Sequence, residues 1–420
     1  MSSSLFSTVK ITDRITRIVL PGRVFAYLVK GDDRAFLIDT GLGYGPLKAF
    51  VEELLGGMPY EVILTHGHLD HAGGAIEFDR VWITEKDIPI AAQKNRAQRA
   101  GYLAGNDGGS VPETELFESK EDGYLVMEIG QTFDLGGETL EILDFGGHTP
   151  GSVGVLFKEE RILLTGDACC SHTLIFGRQG SLSIEEYREK LMDVLKKYGG
   201  TFDTMLYSHP HNFGGPEIVQ QMVDLCGEIL EGKDEHIPMD LMGRPAFLAK
   251  AFGPDGPSRA DGGIANVSYF GDNIRKNRDK HIMSFIIEIE EGTVSDMKGP
   301  YGGVTFIPFT GYVESDLFTG KILPGAADIQ VENPAGCRNM CAKYMFKGTD
   351  FKGKDCFLFV ENNGWFSPAD DVRKPFISAY PRFITDSAAL GPYLSQARFR
   401  SEVHGREGGV EIRIIDVIGD

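Results

Sequence analysis

The segment LTHGHLDHAGG, residues 64–74, concentrates side chains that bind metal ions. It places His66, His68, Asp70 and His71 within six positions, directly after a short apolar run. The chain has only 10 histidines in 420 residues, so composition alone does not explain this spacing. In a helix these side chains would point in different directions, whereas in a glycine-containing turn after a strand alternate side chains point together. The segment is therefore predicted to be a turn that supplies ligands to two neighbouring metal ions.

Three distant residues are candidates to complete this site, because each metal needs three or four protein ligands and one turn cannot provide them all. They are His148 in DFGGHTPGS, Asp167 in LLTGDAC and His209 in LYSHPH, and each follows a predicted strand. Strand ends at one edge of a sheet converge, and α/β proteins assemble their sites there. We therefore expect these three side chains to meet the first turn.

Strands and helices alternate from residue 8 to about residue 230. The helix SIEEYREKLMDVLKKYGG shows the pattern best, because Ser183 is a suitable N-cap, an apolar face follows, and Gly-Gly ends it. The grouping of strands in two runs, each followed by helices, predicts two packed sheets with helices outside. The other predicted helices are GPLKAFVEELLGG, IPIAAQKNRAQRAGYLAG and PEIVQQMVDLCGEILEG, and the predicted strands are ITRIVL, VFAYLVKG, RAFLIDTG, YEVILT, RVWITEK, ETLEILDFGG, SVGVLFKEE, RILLTGDA and FDTMLYSHP.

A second domain is predicted after a Pro/Gly-rich break, GPDGPSRADGG at residues 253–263. IANVSYF follows as a last strand of the first domain, which places the domains at residues 1–277 and 278–420. Beyond the boundary, closely spaced strands alternate with glycine turns and predict an all-β domain, a barrel or a sandwich. The segments are HIMSFIIEIEEG, VTFIPFTGYVE, GKILPG, ADIQVE, AKYMFKGTD, CFLFVENNG and GGVEIRIIDV.

The composition of the chain limits the classes of partner that it is expected to bind. The net charge of −19 argues against a nucleic acid held by electrostatic attraction. The first residues lack a signal-peptide pattern and no apolar stretch is long enough for a membrane helix, so we expect a soluble cytoplasmic protein without a membrane partner. A small-molecule substrate is expected, and a homo-oligomer remains open. Among the six cysteines, Cys337 and Cys341 lack a second pair at zinc-site spacing, so partly buried thiols are favoured over structural zinc.

The complete set of candidate ligands, in this order, resembles the metallo-β-lactamase superfamily over about residues 10–275. The resemblance implies a four-layer αβ/βα sandwich, followed here by the barrel-like all-β domain. It also implies two Zn²⁺ ions, with Fe or Mn as alternatives, and a supporting role for Asp39 in LIDTG behind the ligands. By the family pattern the first metal is held by His66, His68 and His148, the second by Asp70, His71 and His209, and Asp167 bridges both.

The predicted function is hydrolysis of an ester, thioester or lactone of a small metabolite. Two cations that share a water would make hydroxide near neutral pH, and Asp70 would orient it and pass a proton to the leaving atom. Asp167 resembles the thioesterases and lactonases of the superfamily, because its β-lactam hydrolases usually have cysteine or serine there. His68 disfavours di-iron redox chemistry, since the members that perform it carry glutamate. The alternative is a non-hydrolytic metal enzyme, either a mononuclear iron oxygenase or an isomerase, or a ligand-binding protein whose β domain holds the ligand.

The C-terminal domain has its own resemblance, to a small all-β family of unknown function. FTGYVESDLFTGKILPGAADIQV, FVENNGW, YPRF and GVEIRIIDV carry it, although Ile329 follows Asp328 where that family usually has tryptophan. A barrel of this size could bind one small apolar or aromatic molecule, or it could shape the hydrolase pocket or form a dimer. Asp328, Asn362 and Arg382 are candidates for lining its pocket. In the first domain, His172 is a candidate for substrate contact, and loops 105–123 and 172–182 are expected to shape the pocket.

Overall fold

The computed structural model divides the chain into two compact units, Met1–Lys276 and Asn277–Asp420. It describes residues 5–107, 110–177, 180–254, 256, 258–276, 279–290, 292–366, 376–396 and 398–417. In these ranges no helix is both long enough and apolar enough to cross a membrane.

The first unit alternates strands and helices, as its sequence pattern predicts. Its helices are α1 (Leu47–Leu55), α2 (Leu69–Ala72), α3 (Ile88–Ala91), α4 (Arg96–Asp107), α5 (Ile184–Tyr198) and α6 (Glu217–Leu230). Its strands are β1 (Ser7–Lys10), β2 (Ile15–Leu20), β3 (Val24–Lys30), β4 (Ala35–Ile38), β5 (Tyr60–Ile63), β6 (Val81–Ile83), β7 (Leu125–Val126), β8 (Thr132–Asp134), β9 (Thr139–Asp144), β10 (Val153–Phe157), β11 (Ile162–Gly166), β12 (His172–Ile175), β13 (Thr204–Tyr207), β14 (Ile237–Leu241), β15 (Arg244–Leu248) and β16 (Asn266–Tyr269).

Two sheets pack face to face in this unit. Strands β1 to β7 form the first sheet in chain order, and the second sheet has the order β13-β11-β10-β9-β8. Strands β4, β5 and β6 are parallel to one another, and so are β11 and β13. Fully buried apolar side chains of both sheets, such as Phe36, Ile63, Val155 and Leu164, form one core between them. The carboxyl ends of the parallel strands are therefore available at the edges of two opposed sheets.

Helices cover the outer faces of both sheets. Leu47 and Val51 of α1 pack on the first sheet, while Tyr187 of α5 and Met222 of α6 pack on the second. The layers are helix, sheet, sheet and helix, which confirms the predicted αβ/βα sandwich. A smaller sheet of order β12-β16-β15-β14 follows in the same unit.

Some local predictions were wrong. The helix predicted over IPIAAQKNRAQRAGYLAG is two helices, because α3 ends at Ala91 and the polar segment that follows is not helical. Asn95 precedes α4 and its carbonyl accepts the amide of Arg99, so a new helix begins at Arg96. The segment 172–182 begins as strand β12 rather than as a loop, and strands β14 and β15 were not predicted. Residues 108–109 and 178–179 of the two expected loops lie outside the described residues.

The second unit is all-β apart from one short helix, α7 (Gly391–Leu394), within the described residues. Its strands are β17 (Lys280–Glu288), β18 (Ser295–Gly299), β19 (Gly302–Pro308), β20 (Thr310–Glu314), β21 (Phe318–Ile322), β22 (Ala327–Glu332), β23 (Arg338–Asp350), β24 (Asp355–Phe366), β25 (Phe376–Thr385), β26 (Phe399–Arg406) and β27 (Gly409–Asp416). Strands β18, β25 and β26 were not among the predicted segments.

Strand β23 closes this unit into a barrel. The strands run in the order β23-β21-β20-β17-β27-β26-β25-β24, and β24 pairs again with β23. Strand β22 takes the place of β21 beside the first half of β23, where Asp328 lies opposite Ala342. The β23–β24 pairing closes the ring, with alternate side chains pointing inward, while β19 and β18 extend from β22 outside it. Of the two predicted alternatives, the barrel is the one that forms.

The N-terminal capping box of helix α5 is expected to stabilise the protein, and a substitution at Ser183 tests this. Ser183 accepts the Glu186 amide, and the Glu186 carboxylate reaches back to Ser183. We expect Ser183→Ala to lower the free energy of unfolding by about 1 kcal/mol, because an orphan helix amide loses its acceptor. Urea denaturation followed by circular dichroism measures this. Ser295→Ala, on an exposed strand, is the control, and equal losses in both variants would contradict the assignment of the cap.

Candidate metal centre

The candidate ligands and the supporting Asp39 lie at the carboxyl ends of five strands. Asp39 follows β4, the first turn follows β5, and the loop with His148 follows β9. Asp167 follows β11 and His209 follows β13. Backbone hydrogen bonds join the two sheets at this edge, from the Val153 amide to the Thr65 carbonyl and from Phe25 to Ser208. The seven side chains predicted from sequence therefore come together at one end of the sandwich.

The first donor group consists of His66, His68 and His148. The Nε2 atom of His66 lies 3.1 Å from Nδ1 of His68, and that atom lies 2.9 Å from Nε2 of His148. All three ligand atoms lie within 4.8 Å of one another. Three imidazole nitrogens that face one point form the kind of ligand set that zinc prefers.

The second donor group consists of Asp70, His71, Asp167 and His209, whose ligand atoms also lie within 4.8 Å of one another. The Oδ2 atom of Asp70 lies 3.5 Å from Nε2 of His71 and 3.4 Å from Nε2 of His209. Asp70 and His71 are neighbours in α2, whereas Asp167 follows β11 and His209 follows β13.

Asp167 lies between the two groups. Its Oδ2 atom is 3.1 Å from Nε2 of His209 and 3.4 Å from Nε2 of His71, both in the second group. The same oxygen is 4.0 Å from Nε2 of His148 in the first group. One carboxylate is thus placed where a ligand shared by two cations would have to be.

The other ring nitrogen of four of these histidines has a partner outside the donor groups. Nδ1 of His148 lies 2.8 Å from the Leu174 carbonyl, Nδ1 of His66 lies 3.1 Å from the Thr65 hydroxyl, and His209 Nδ1 lies 3.3 Å from the Arg23 carbonyl. Nδ1 of His71 lies 2.9 Å from Asp39. Such contacts fix the ring orientation and the nitrogen that is free for a metal, as they do around metal-binding histidines in general.

Asp39 supports the centre from a strained backbone position. Its φ angle of 66° is in the left-handed region, which costs free energy for a residue other than glycine. The hydrogen bonds of the carboxylate offset the cost of this backbone conformation, because it accepts the amide and the hydroxyl of Thr65 and contacts His71. It therefore joins the end of β4 to both ends of the first turn.

A second supporting carboxylate, Asp87, was not predicted. It is completely buried and accepts the Gly67 amide at 2.8 Å, the Thr149 hydroxyl at 2.6 Å and the Gly151 amide at 2.7 Å. It thus connects the loop of His66 and His68 with the loop of His148. Its position in the sequence, after a short strand with no motif around it, gave no signal of this role.

Two aromatic residues at the centre were also missed. The Phe176 ring lies 5.5 Å from the ring of His68 and 5.4 Å from that of His148, so it covers the first group. Tyr102 of α4 lies beside Asp70; burial raises the pKa of its phenol, and the Asp70 carboxylate raises that pKa further. Arg99, one turn earlier, anchors α4 by donating to the carbonyls of Leu42, Gly73 and Phe117. The spacing of Arg99 and Tyr102, which places both on one face of a helix, was the sequence feature that could have indicated their roles.

His172 takes a different position from the cluster. Its Nε2 atom lies 2.8 Å from the Ser268 hydroxyl, and its ring packs edge-on against Phe252 at 5.3 Å. Burial lowers the pKa of His172 to about 4. Ser268 on β16 and Phe252 both lie outside the two donor groups, and the role of His172 with substrate stays a prediction.

The two donor groups differ in charge, because the first contains neutral imidazoles and the second contains ionised carboxylates. Burial lowers the pKa of His68 to about 3 and also lowers the pKa values of His66 and His148, which keeps these imidazoles neutral and ready to bind a metal. In the second group, burial raises the pKa of Asp70 and Asp167, but the neighbouring histidines lower both pKa values by more. These two carboxylates are therefore ionised.

Two unpaired buried atoms in the second donor group also favour metal binding. Nε2 of His71 and Oδ1 of Asp167 are buried and have no hydrogen-bond partner in the described part of the chain. Buried polar atoms without partners cost free energy, and a bound cation would remove that cost for both. Imidazole with carboxylate suits zinc, iron or manganese. The identity and number of the metals remain predictions.

Comparison with known proteins agrees with this architecture. Residues 19–200 match the Metallo-beta-lactamase superfamily, and residues 279–407 match a family described as Protein of unknown function (DUF3237). The chain thus carries a metallo-beta-lactamase superfamily domain followed by a DUF3237 domain, which confirms both resemblances seen in the sequence.

Three similar proteins illustrate the match. Acyl-coenzyme A thioesterase MBLAC2 of Homo sapiens is 25% identical over 215 residues, which cover 47% of this chain and 76% of the relative. Hydroxyacylglutathione hydrolase GloC of Haemophilus influenzae is 32% identical over 33% of this chain and 64% of the relative. The solved metallo-beta-lactamase from Pontibacter korlensis is 18% identical, with a TM-score of 0.37 over 52% of this chain and 97% of that chain. The superfamily domain and the hydrolases among its relatives confirm the predicted enzyme class, a metal-dependent hydrolase.

Asp39 provides a test of the support behind the ligands. We expect Asp39→Asn to weaken metal binding by about 10- to 100-fold, because His71 loses the carboxylate that orients it. Competition with a chromogenic chelator measures the affinity. Asp79→Asn is the control, since Asp79 is highly exposed and pairs only loosely with Lys48. Unchanged metal affinity in Asp39→Asn would show that this carboxylate serves the fold alone.

Proposed function

We propose that this chain is a dinuclear metal-dependent hydrolase that cleaves an ester, thioester or lactone of a small metabolite. The position of Asp167 carries the proposal, because one carboxylate oxygen lies 3.1 Å from a ligand atom of one donor group and 4.0 Å from a ligand atom of the other. By this proposal His66, His68 and His148 hold one ion, Asp70, His71 and His209 hold the second, and Asp167 bridges them.

Two divalent ions bound there would polarise the carbonyl of the substrate and lower the pKa of a shared water toward neutrality. Asp70 is the residue that handles protons in this scheme. Its carboxylate is ionised and mostly buried, so it can orient the attacking water, take up the proton that the water releases and pass that proton to the leaving atom. Phe176 keeps bulk water away from the first group.

Tyr102 positions Asp70. The phenol stays protonated, because burial and the Asp70 carboxylate both raise its pKa, and a protonated phenol can donate to that carboxylate. Tyr102 is thus a positioning residue for the group that moves the proton.

A thioester is the first substrate to test. Two relatives are named as a thioesterase of acyl-coenzyme A and as a hydrolase of hydroxyacylglutathione. Asp167 supports the same choice, because the β-lactam hydrolases of the superfamily usually have cysteine or serine there. The experiment determines metal content by mass spectrometry and compares turnover of acyl-coenzyme A, acyl-glutathione, lactone and phosphodiester substrates. About two zinc ions per chain with thioester or lactone turnover supports the proposal, whereas one iron with oxygen uptake refutes it in favour of an oxygenase.

Asp70→Ala tests the proton-handling group. We expect turnover to fall by at least about 1,000-fold, because the variant loses both a ligand and the group that orients the attacking water. Kinetics with the best thioester or lactone substrate measure this, and circular dichroism checks the fold. Asp79→Ala, at an exposed site, should retain wild-type activity. Near-normal turnover in Asp70→Ala would place the chemistry elsewhere.

Tyr102→Phe tests the positioning of Asp70. We expect kcat to fall by about 10-fold with unchanged metal content, because the phenol beside the ionised Asp70 is lost. Tyr198→Phe is the matched control, since the Tyr198 hydroxyl donates to Glu141, which belongs to none of the donor groups. A change in KM alone, with kcat preserved, would assign Tyr102 to substrate binding instead.

A further inference from the structure

The first unit contains a cavity beside the second donor group. Its volume is about 330 Å³, and sites for small molecules usually measure about 300 to 1,000 Å³. Strands β2, β3 and β13 and the loop that follows β13 form its walls. His209 is one of the lining residues, so the cavity adjoins the metal centre but extends away from it along the strands.

A permanent positive charge lines this cavity. Arg17 of β2 pairs with Tyr27 of β3, so both side chains lie on the face of the first sheet that packs against the second. The guanidinium carbon of Arg17 lies 4.4 Å from the centre of the Phe25 ring, a cation–π contact that holds the charge in the wall. No aspartate or glutamate is among the described residues that line the cavity.

Arg17 has no countercharge in the described part of the chain. It forms no salt bridge there, and its Nε atom is buried without a hydrogen-bond partner. Arg14, three residues earlier, donates to Asp32 at 3.0 Å. Acidic residues outnumber basic ones by 61 to 42, so a shortage of carboxylates does not explain the difference. A partly buried guanidinium without a countercharge attracts an anion.

The phenols in the wall are engaged with the protein. Tyr27 donates to the Tyr207 carbonyl at 2.6 Å, and Tyr207 donates to the Gly214 carbonyl at 3.2 Å. Arg17 contacts the Tyr27 phenol; burial raises the pKa of that phenol, and the guanidinium lowers it by less. A neutral phenol does not compensate the charge of Arg17. The guanidinium is therefore the group in this wall that would bind an anion, while the phenols present their rings.

The rest of the wall is largely apolar, which indicates the body of the ligand. Phe25, Met205 and Leu206 are buried, and Phe213 is half-buried. A ring or a short apolar chain packs well against such a surface, whereas an inorganic anion would leave it uncovered. The planar fork of an arginine suits an anionic group with two oxygens side by side.

We propose that this cavity binds a small organic anion, a carboxylate or sulfonate on an apolar body, whose oxygens accept hydrogen bonds from Arg17 and whose body packs against Phe25, Tyr207 and Phe213. The site lies in the first unit, and its occupation does not depend on the proposed hydrolase activity.

The residues predicted to line a pocket in the barrel belong to the other unit and take no part in this site. Arg382 is exposed, so it does not line the barrel interior. Asn362 is buried, and its Oδ1 atom accepts the Ser401 hydroxyl at 2.8 Å. A ligand role of Asp328 and Asn362 stays a prediction.

The test uses the metal-loaded full chain and two probes of almost the same shape. Benzenesulfonate carries the charge, and methyl phenyl sulfone replaces one anionic oxygen by a methyl group. Ligand-detected NMR titration measures both affinities. We expect benzenesulfonate to bind at least about 10-fold more tightly, which is the effect of hydrogen bonds between charged groups. Equal affinity for the two probes, or no saturable binding of benzenesulfonate, overturns the proposal.

A substitution of the charged residue locates the anionic group. Arg17→Gln should remove most of the preference for benzenesulfonate over the sulfone, because the amide keeps part of the volume and loses the charge. Arg80→Gln is the matched control, since Arg80 is exposed and pairs with Glu61 at 3.0 Å. A preference that survives in Arg17→Gln would place the anion elsewhere, such as on the metal ions, and overturn the proposal.

A substitution in the wall locates the apolar body. Phe213→Ala should weaken the binding of both probes by a similar factor, about five-fold, and leave the ratio of their affinities unchanged, because it removes apolar contact and no charge. Phe351→Ala, at an exposed position of the second unit, is the control. Circular dichroism checks the fold of each variant. If Phe213→Ala leaves both affinities as in the wild type, the probes bind outside this cavity, and the proposal fails.

Discussion

The structure of the first unit depends on the burial of ionised carboxylates beside imidazoles at one edge of the sandwich. Asp39, Asp70, Asp167 and His71 are all buried or nearly so, and each would be costly to bury alone. They are tolerated because they contact one another, and because the remaining unpaired atoms face the position of a cation. Removal of any one member leaves a buried charge uncompensated, so the site and the local stability of this edge cannot be separated.

The fold meets this constraint through strand polarity. Parallel strands deliver their carboxyl ends to the same edge, and two packed sheets bring two such edges together. The chain can therefore place ligands from residues 66 to 209 around one point, with Asp167 and His209 within two residues of the ends of their strands and the other ligands on the segments that follow β5 and β9. Backbone hydrogen bonds between the sheets, together with Asp39 and Asp87, fix the turns that carry them. A centre built in this way is organised before any metal arrives.

The sequence was informative where a side chain had to be of one chemical type at one place. The spacing within residues 66–71 identified four of the ligands. The other three, His148, Asp167 and His209, were identified because each follows an apolar run that predicts a strand. Asp87, Tyr102 and Phe176 could not be found in this way, because their roles depend on how a helix and a loop pack against the centre. The break between α3 and α4 was missed for a similar reason, since apolar periodicity continues across Asn95. In the barrel, the alternation of buried and exposed residues on β23 and β24 could be predicted, but the closure through the β23–β24 pairing follows only from contacts between distant strands.

The two units thus solve the same physical problem with different chemistry. In the first, unpaired buried atoms belong to ionised carboxylates and imidazoles, so the partner that removes their cost is a cation. In the second, the unpaired atoms are a phenol and a carboxyl whose pKa burial raises, and the surrounding surface is aromatic. The phenol ring is enclosed by the rings of Phe285, Phe309 and Phe346, so aromatic packing in the second unit offsets part of the cost that a cation would remove in the first.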